Sequence, residues 1–463
     1  MNEFLQSPYR VIGLMLGIVA VSFGIACTST EVTVGDGDAG DDDTSVAHGD
    51  VDVNATQPDA TAPADTESEP GQDTQGDVQG GDAGDGDAGV DGGDEQDVNA
   101  GDTDVDNPDT GEVDTGAEDP PNGEVPLGFD NRFGIGLVGP GDATDMQLTA
   151  DLVGPEGFIK IIFPGVTADT TGPEAAWSAA VQIAYERDLI PVIRIGPPWG
   201  DRRVRNQADD ETHLTYTQLA QAYRNVVEAL PLRDGWPVWI EIHNEPNLCY
   251  EWECDPGATD DGWMGYEQIA SEYAHMMRDV AQALRDIGDP RIKITNGGLA
   301  PGGVTSCECG GDGFNPGITS MDFINAMEAA VPGVFNELDG WSSHPYPAEG
   351  EGWGFMVPYD QAMTGLLFHH LELEAVGLDL PVLITETGWN LDHGDRNDVA
   401  TWMVQAYQDP WLTDETILGV MPFMLRDPGW DHFGWTAPDG TPYPVYNAVR
   451  DYRCQTIPGN CPQ

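Results

Sequence analysis

Two short runs put glutamates where chemistry can happen. "VWIEIHNEPN", Val238 to Asn247, is an apolar, β-branched and aromatic run that ends in His243, Asn244 and Glu245 before Pro246 stops it. "PVLITETGW", Pro381 to Trp389, ends in the same way on Glu386. Two carboxyls spanning one bond are the minimum apparatus for cleaving a glycosidic link: one protonates the leaving oxygen while the other attacks or activates water. Either run alone would also serve as a strand-ending turn, so the pair matters only if the fold brings them together.

The elements that must do so repeat one theme from Phe129 onward: a short apolar run, a polar or glycine-rich loop, then a helical pattern. The runs are "RFGIGLV", "FIKIIF", "IPVIRI", "VWIEI", "RIKIT", "LDGWSS", "PVLIT" and "ILGVMPF". Between them, "EAAWSAAVQIAYERD", "YTQLAQAYRNVVEAL" and "YEQIASEYAHMMRDVAQALRDIG" carry the helical period. Strands alternating with helices imply a parallel sheet, and eight such units predict an α/β fold of the closed (β/α)8 TIM barrel type. A doubly wound open sheet is the alternative, but "GIGLVGPG" after the first run is not a dinucleotide fingerprint. In a barrel the residues after all eight strands share one mouth. Those polar exits are Arg194, then His243, Asn244 and Glu245, then Asn296, His344 with Tyr346, Glu386, and Arg426 with Trp430 and Trp435.

With "NEP" after the fourth run, "HPYP" after the sixth and "ETG" after the seventh, the chain resembles the clan of retaining (β/α)8 glycosidases that includes cellulases, β-mannanases and β-xylosidases. The resemblance covers most of Phe129 to about Tyr452. It implies Glu245 as general acid/base and Glu386 as nucleophile. It implies further that Asn244 binds the sugar 2-hydroxyl, that Tyr346 donates to Glu386, and that His344 lines the same subsite. A retaining mechanism expects carboxyls roughly 5–5.5 Å apart, against about 6.5–9.5 Å for an inverting one. An ionised Glu386 would favour the protonated acid at Glu245, and its conversion to a glycosyl ester would free Glu245 to act as base.

Sugar C–H faces pack on aromatic rings, so Trp199, Trp389, Trp430 and Trp435 are candidate platforms. Trp430 or Trp435 resembles the clan's tryptophan beneath the cleaved sugar, and the sequence does not choose between them. Arg194 is equally compatible with a site role and a barrel-pairing one. No metal motif is present: "HExxH" is missing, and the pair His369-His370 and the single His393 have no ligand-like neighbours in sequence. No "GxSxG" marks a serine nucleophile. No cofactor is expected.

Composition divides the remainder. Residues 28–123 hold 29 Asp or Glu and no Lys or Arg, and read as a disordered acidic Gly/Asp-rich linker that cannot bury enough apolar surface to order. Repeats such as "GDAGDGDAG" lack the spacing of a calcium loop. Of the formal charge of −63, about −34 falls on residues 124–463, the expected catalytic domain with its C-terminal tail. That excess argues against nucleic acid as a partner and suits a salty medium that screens self-repulsion. Residues 1–27 read as an export signal: Arg10, then "VIGLMLGIVAVSFGIA", then Cys27, which resembles the lipidated Cys of a bacterial lipoprotein. An ordinary cleaved signal or retained anchor is the alternative. With Cys27 carrying lipid, Cys249, Cys254, Cys307, Cys309, Cys454 and Cys461 remain, an even number suited to an oxidising compartment, with Cys454–Cys461 a local bridge. The expectation is an exported monomer, held at the cell envelope through Cys27 alone, acting on carbohydrate. A non-catalytic carbohydrate-binding or adhesion protein on the same scaffold is the rival.

Overall fold

A computed structural model of the chain describes residues 125–199, 204–252, 266–301, 319–348, 357–391 and 395–461. The chain divides into two units, Met1–Pro108 and Asp109–Gln463, and every described residue belongs to the second. The export signal, Cys27 and the acidic linker therefore lie outside the described residues, as do Cys254, Cys307, Cys309, His393 and the side chain of Cys249.

Eight parallel strands follow one another in chain order: β1 (Gly134–Gly136), β2 (Phe158–Phe163), β3 (Ile190–Ile195), β4 (Val238–Ile242), β5 (Ile292–Asn296), β6 (Trp341–Ser343), β7 (Val382–Ile384) and β8 (Ile417–Val420). β1 to β5 form one run of the sheet and β6 to β8 another. The ring closes at β8 through a parallel bridge between Val420 and Phe133. Between β5 and β6 it closes through a backbone bond from Asp339 N to Ile294 O (2.9 Å) and, higher up, through a side chain: the Asn296 amide donates to Ser342 O (3.0 Å) and accepts from Ser342 N (2.8 Å). Sequential strand order around a closed ring is the (β/α)8 barrel, not the doubly wound alternative. Asn296, expected at the mouth, is spent on holding the ring shut.

Helices α1 (Ala143–Val153), α2 (Ala175–Glu186), α3 (Thr217–Glu228), the short α4 (Cys249–Trp252), α5 (Tyr266–Arg285), α6 (Ser320–Ala330), α7 (Met363–Leu366), α8 (Phe368–Val376), α9 (Arg396–Ala406) and α10 (Pro444–Thr456) lie between and after the strands. Cys454 in α10 is bonded to Cys461. Among the described residues no helix is long and apolar enough to cross a membrane.

The strand residues sort by parity, because successive side chains point to opposite faces of a sheet. Ile159, Ile161 and Phe163 of β2 join the large core beneath the helices. Phe158 belongs instead to a second cluster with Ile190, Val192, Trp239, Leu383 and Met421, which fills the lower barrel interior. Gly419 on β8 makes room for it: an added Cβ would lie 2.6 Å from the Phe158 ring. Two residues further along each strand, the inward positions turn polar. Lys160 stands above Phe158, Arg194 above Val192, Glu241 above Trp239 and Thr385 above Leu383. This polar layer is the floor of the site.

Candidate active site

The exit of β4 is where the backbone leaves its ordinary conformation. His243 (φ 75°) and Glu245 (φ 37°) both adopt positive φ, which for residues with a Cβ costs on the order of 1–3 kcal/mol each and persists only when surroundings fix it. Here His243 N donates to Ile195 O (3.1 Å), Glu245 N to Gly298 O (2.9 Å) and Leu248 N to Glu245 O (2.8 Å). The strained turn carries Glu245 out of the strand line while keeping it 6 % exposed.

Glu386, on the residue but one after β7, meets it. One carboxylate oxygen of each glutamate and one ring nitrogen of His344 all lie within 4.8 Å of one another. His344 Nδ1 is 3.0 Å from Glu245 Oε1 and 3.9 Å from Glu386 Oε2. Tyr346 donates to Glu386 Oε2 (3.1 Å). Lys160 Nζ lies 3.0 Å from Glu386 Oε1 and 3.1 Å from Glu241 Oε2, and Arg194 adds a guanidinium 3.8 Å from Glu386 Oε1. Glu241 Oε1 accepts from Ser342 Oγ (2.7 Å), Thr385 Oγ1 (2.8 Å) and Gly298 N (3.2 Å).

These contacts set the charges. Burial by itself would push Glu386 up, but the charges of Lys160, His344 and Arg194 outweigh it and hold the carboxyl well below the ordinary carboxylate range. Glu241 follows the same logic: burial opposes ionisation, and Lys160, His344 and the Ser342 hydroxyl prevail, so it too stays ionised. Burial would lower His344, yet the charge of Glu386 and the carboxylates of Glu241 (3.5 Å from Nε2) and Glu245 (3.0 Å from Nδ1) raise it to about 9. At neutral pH both ring nitrogens of His344 thus carry hydrogen, and Nδ1 donates to Glu245 Oε1.

Asn244 is held by its amide nitrogen, which donates to Glu251 Oε1 (3.1 Å). An amide that donates to a carboxylate must turn its oxygen the other way. That Oδ1 is buried and has no hydrogen-bond partner among the described residues. It lines a small cleft with Arg194, Trp199, His243 and Glu251.

The candidate tryptophans separate by exposure. Trp199 is 46 % exposed, with the Arg194 guanidinium 5.3 Å from its ring centre, and Trp430 is 49 % exposed. Trp389 and Trp435 are buried, and Trp389 donates its indole N–H to Val357 O (2.8 Å). Trp430 packs edge-on against Phe423, and Phe433 joins both to Tyr346. Arg426 turns away to Asp142 and Asp145 at the start of α1.

Lys160, Glu241 and Glu251 were not singled out from sequence. A signal for the first two existed. Lys160 is one of two lysines in the chain and stands inside "FIKIIF", and Glu241 stands inside "VWIEI". A charged residue flanked by isoleucines in a fully buried strand requires a partner.

No family model matches the sequence, nor does any curated protein. Solved structures similar to it include a family 39 glycoside hydrolase from the gut symbiont Bacteroides cellulosilyticus, at 18 % identity and a TM-score of 0.46 over 71 % of this chain and 65 % of that one. An endo-β-1,4-mannanase from Thermotoga petrophila is 13 % identical, with a TM-score of 0.45 over 72 % of this chain and 78 % of that one. A β-glucosidase from Exiguobacterium marinum is 14 % identical, with a TM-score of 0.45 over 71 % and 98 %. At such identities the likeness assigns no residue a role.

Proposed function

We propose that this chain is a retaining glycoside hydrolase that cleaves β-glycosidic bonds of an extracellular polysaccharide or oligosaccharide by double displacement. The observation that carries the reading is the Glu245–Glu386 pair, with carboxylate oxygens within 4.8 Å across one buried mouth and unlike surroundings. That spacing suits direct attack by a carboxylate, since an inverting pair must leave room for a water between them.

In the first half-reaction a Glu386 oxygen forms a bond to the anomeric carbon while Glu245 gives its proton to the glycosidic oxygen, and the bond from carbon to the leaving group breaks. In the second, ionised Glu245 takes a proton from water, the water oxygen bonds to the anomeric carbon, and the ester bond to Glu386 breaks. Configuration is inverted twice and therefore retained. Lys160, Arg194 and Tyr346 keep Glu386 ionised and oriented before attack. When Glu386 becomes a neutral ester, Lys160 still faces Glu241 at 3.1 Å, so the buried ammonium is never stranded. His344 holds Glu245 Oε1 at 3.0 Å and so orients the acid/base carboxyl towards the glycosidic oxygen. Asn244 Oδ1 accepts from a sugar hydroxyl, an interaction that strengthens as positive charge builds at the anomeric carbon. Trp199 and Trp430 offer ring faces to flanking sugars.

The test is hydrolysis of aryl β-glycosides and a polysaccharide panel, with the anomer released in the first turnover read by proton NMR. Retained configuration, and loss of at least a thousandfold in kcat in folded Glu386→Ala, support the reading. Glu245→Ala should lose least on substrates whose leaving group needs no proton. Inverted product, or full activity in Glu386→Ala, overturns it. Saccharide binding without turnover in the wild-type chain would favour the adhesion rival.

A further inference from the structure

At the opposite end of the barrel the fold assembles a second cluster that the sequence hid. His369 and His370 are consecutive in α8, and Asp414 lies in the loop entering β8, 44 residues or more away in sequence. His369 Nε2 is 3.0 Å and His370 Nε2 2.8 Å from the same oxygen, Asp414 Oδ2. One ligand atom from each of the three residues lies within 4.8 Å of the other two. The absence of ligand-like company around these histidines in the linear sequence is corrected by the fold, which supplies the carboxylate.

The carboxylate is fixed for this purpose. Asp414 Oδ1 accepts from Thr416 N (2.9 Å) and Thr416 Oγ1 (2.6 Å), and the Asp414 backbone carbonyl accepts from Arg132 (2.7 Å). Among the described residues, Oδ2 meets only the two imidazoles. Four ligands at roughly 2.0–2.1 Å around a tetrahedral ion stand about 3.3 Å from one another, so the two imidazole–carboxylate spacings of 3.0 and 2.8 Å need to open by only a few tenths of an ångström to admit one. His369 is fully buried while His370 is about half-exposed, so one side of the cluster opens to water for a fourth ligand.

We infer that His369, His370 and Asp414 form a zinc-type divalent-metal site that clasps α8 to the entry of β8. Two imidazoles and one carboxylate are the ligand chemistry of zinc and its neighbours rather than of calcium or magnesium, which prefer all-oxygen shells. The site lies at the N-terminal ends of the strands, away from Glu245 and Glu386, so its contribution is to stability and not to catalysis.

The untagged full chain is stripped with a chelator and titrated with zinc chloride in excess magnesium, which occupies the acidic surface. Melting temperature, bound stoichiometry and the visible spectrum of the cobalt(II)-loaded protein are read. One equivalent should bind, melting should rise with each further increment of zinc, and cobalt should give the intense bands of four-coordination. His370→Ala, at an exposed position that leaves the fold intact, should weaken binding at least tenfold, and Asp414→Asn should do the same. Zinc affinity unchanged in His370→Ala overturns the proposal, as does binding abolished by His344→Ala but not by His370→Ala, or an absence of zinc binding above the magnesium background.

Discussion

Lys160 reaches across the barrel floor from β2 to Glu386 beyond β7, Nζ to Oε1 3.0 Å, while its other side holds Glu241 at 3.1 Å. One ammonium thus serves two buried carboxylates. Lys160→Met removes the nearest cation from both and leaves Arg194 and His344 at 3.5–3.9 Å as the remaining positive groups, a change expected to cost up to roughly 3–5 kcal/mol of stability. Activity should fall by about 10²-fold or more in kcat, the scale of losing one preorganised charge partner. The double variant Lys160→Met/Glu241→Gln should recover much of the stability but not the activity. Denaturant unfolding and steady-state kinetics on the three proteins check this. A double variant as active as wild type would show that Lys160 answers only to Glu241.

His344 links stability to pH in a definite direction. Its folded value of about 9 lies above the ordinary 6.5, so its contribution is complete below about 6.5 and is lost as pH rises through about 9. Glu386, depressed, runs the other way, contributing above its ordinary 4.5 and losing that only in strong acid. The melting-temperature advantage of wild type over His344→Gln should therefore be widest near about pH 6 and shrink toward about pH 10. A gap that widens with rising pH would contradict a protonated His344.

Gly298 permits the placement of that ring. A Cβ added there would lie 2.3 Å from His344 Cδ2 and Nε2, and His344 is fully buried. Gly298→Ala should therefore displace the imidazole from Glu245, costing about 1–3 kcal/mol of stability and more than tenfold in kcat. Kinetics with a crystal structure of the variant would test it. Undiminished kcat would mean that the His344–Glu245 contact is not needed for turnover.

Glu372 in α8 is buried and outside the mechanism. It accepts from Trp341 Nε1 (3.1 Å) and Ser343 Oγ (2.5 Å) on one oxygen. Burial, only partly countered by those two bonds and the charge of His344, raises it to about 7. A raised carboxyl favours the fold fully below about 4.5 and loses that contribution as pH passes about 7. Glu372→Gln, which cannot ionise, should match wild type near about pH 5 and exceed it above about pH 8. Urea midpoints across that range decide the matter.

Much of this architecture was legible in the chain. "FIKIIF", "IPVIRI" and "VWIEI" became β2, β3 and β4 over the same residues, because an isoleucine-rich run buried on both faces has few other uses. The weaker runs "LDGWSS" and "PVLIT" became three-residue strands, and the ring at β5–β6 is completed by the Asn296 side chain, which no backbone pattern encodes. Glu245 and Glu386 could be named because each ends such a run. Their proximity could be inferred only by assuming a closed barrel.

What the sequence determined by itself was local: where the chain turns apolar every second or every third to fourth residue, and which polar groups interrupt that pattern. Tertiary structure decided which interruptions meet. Lys160, Glu241 and Glu386 are separated by up to 226 residues yet share two salt bridges, and Asp414 finds His369 and His370 only through the packing of α8 against the β8 entry. Electrostatic pairing depends on distance in space, and periodicity along a chain carries no record of it until the ring closes.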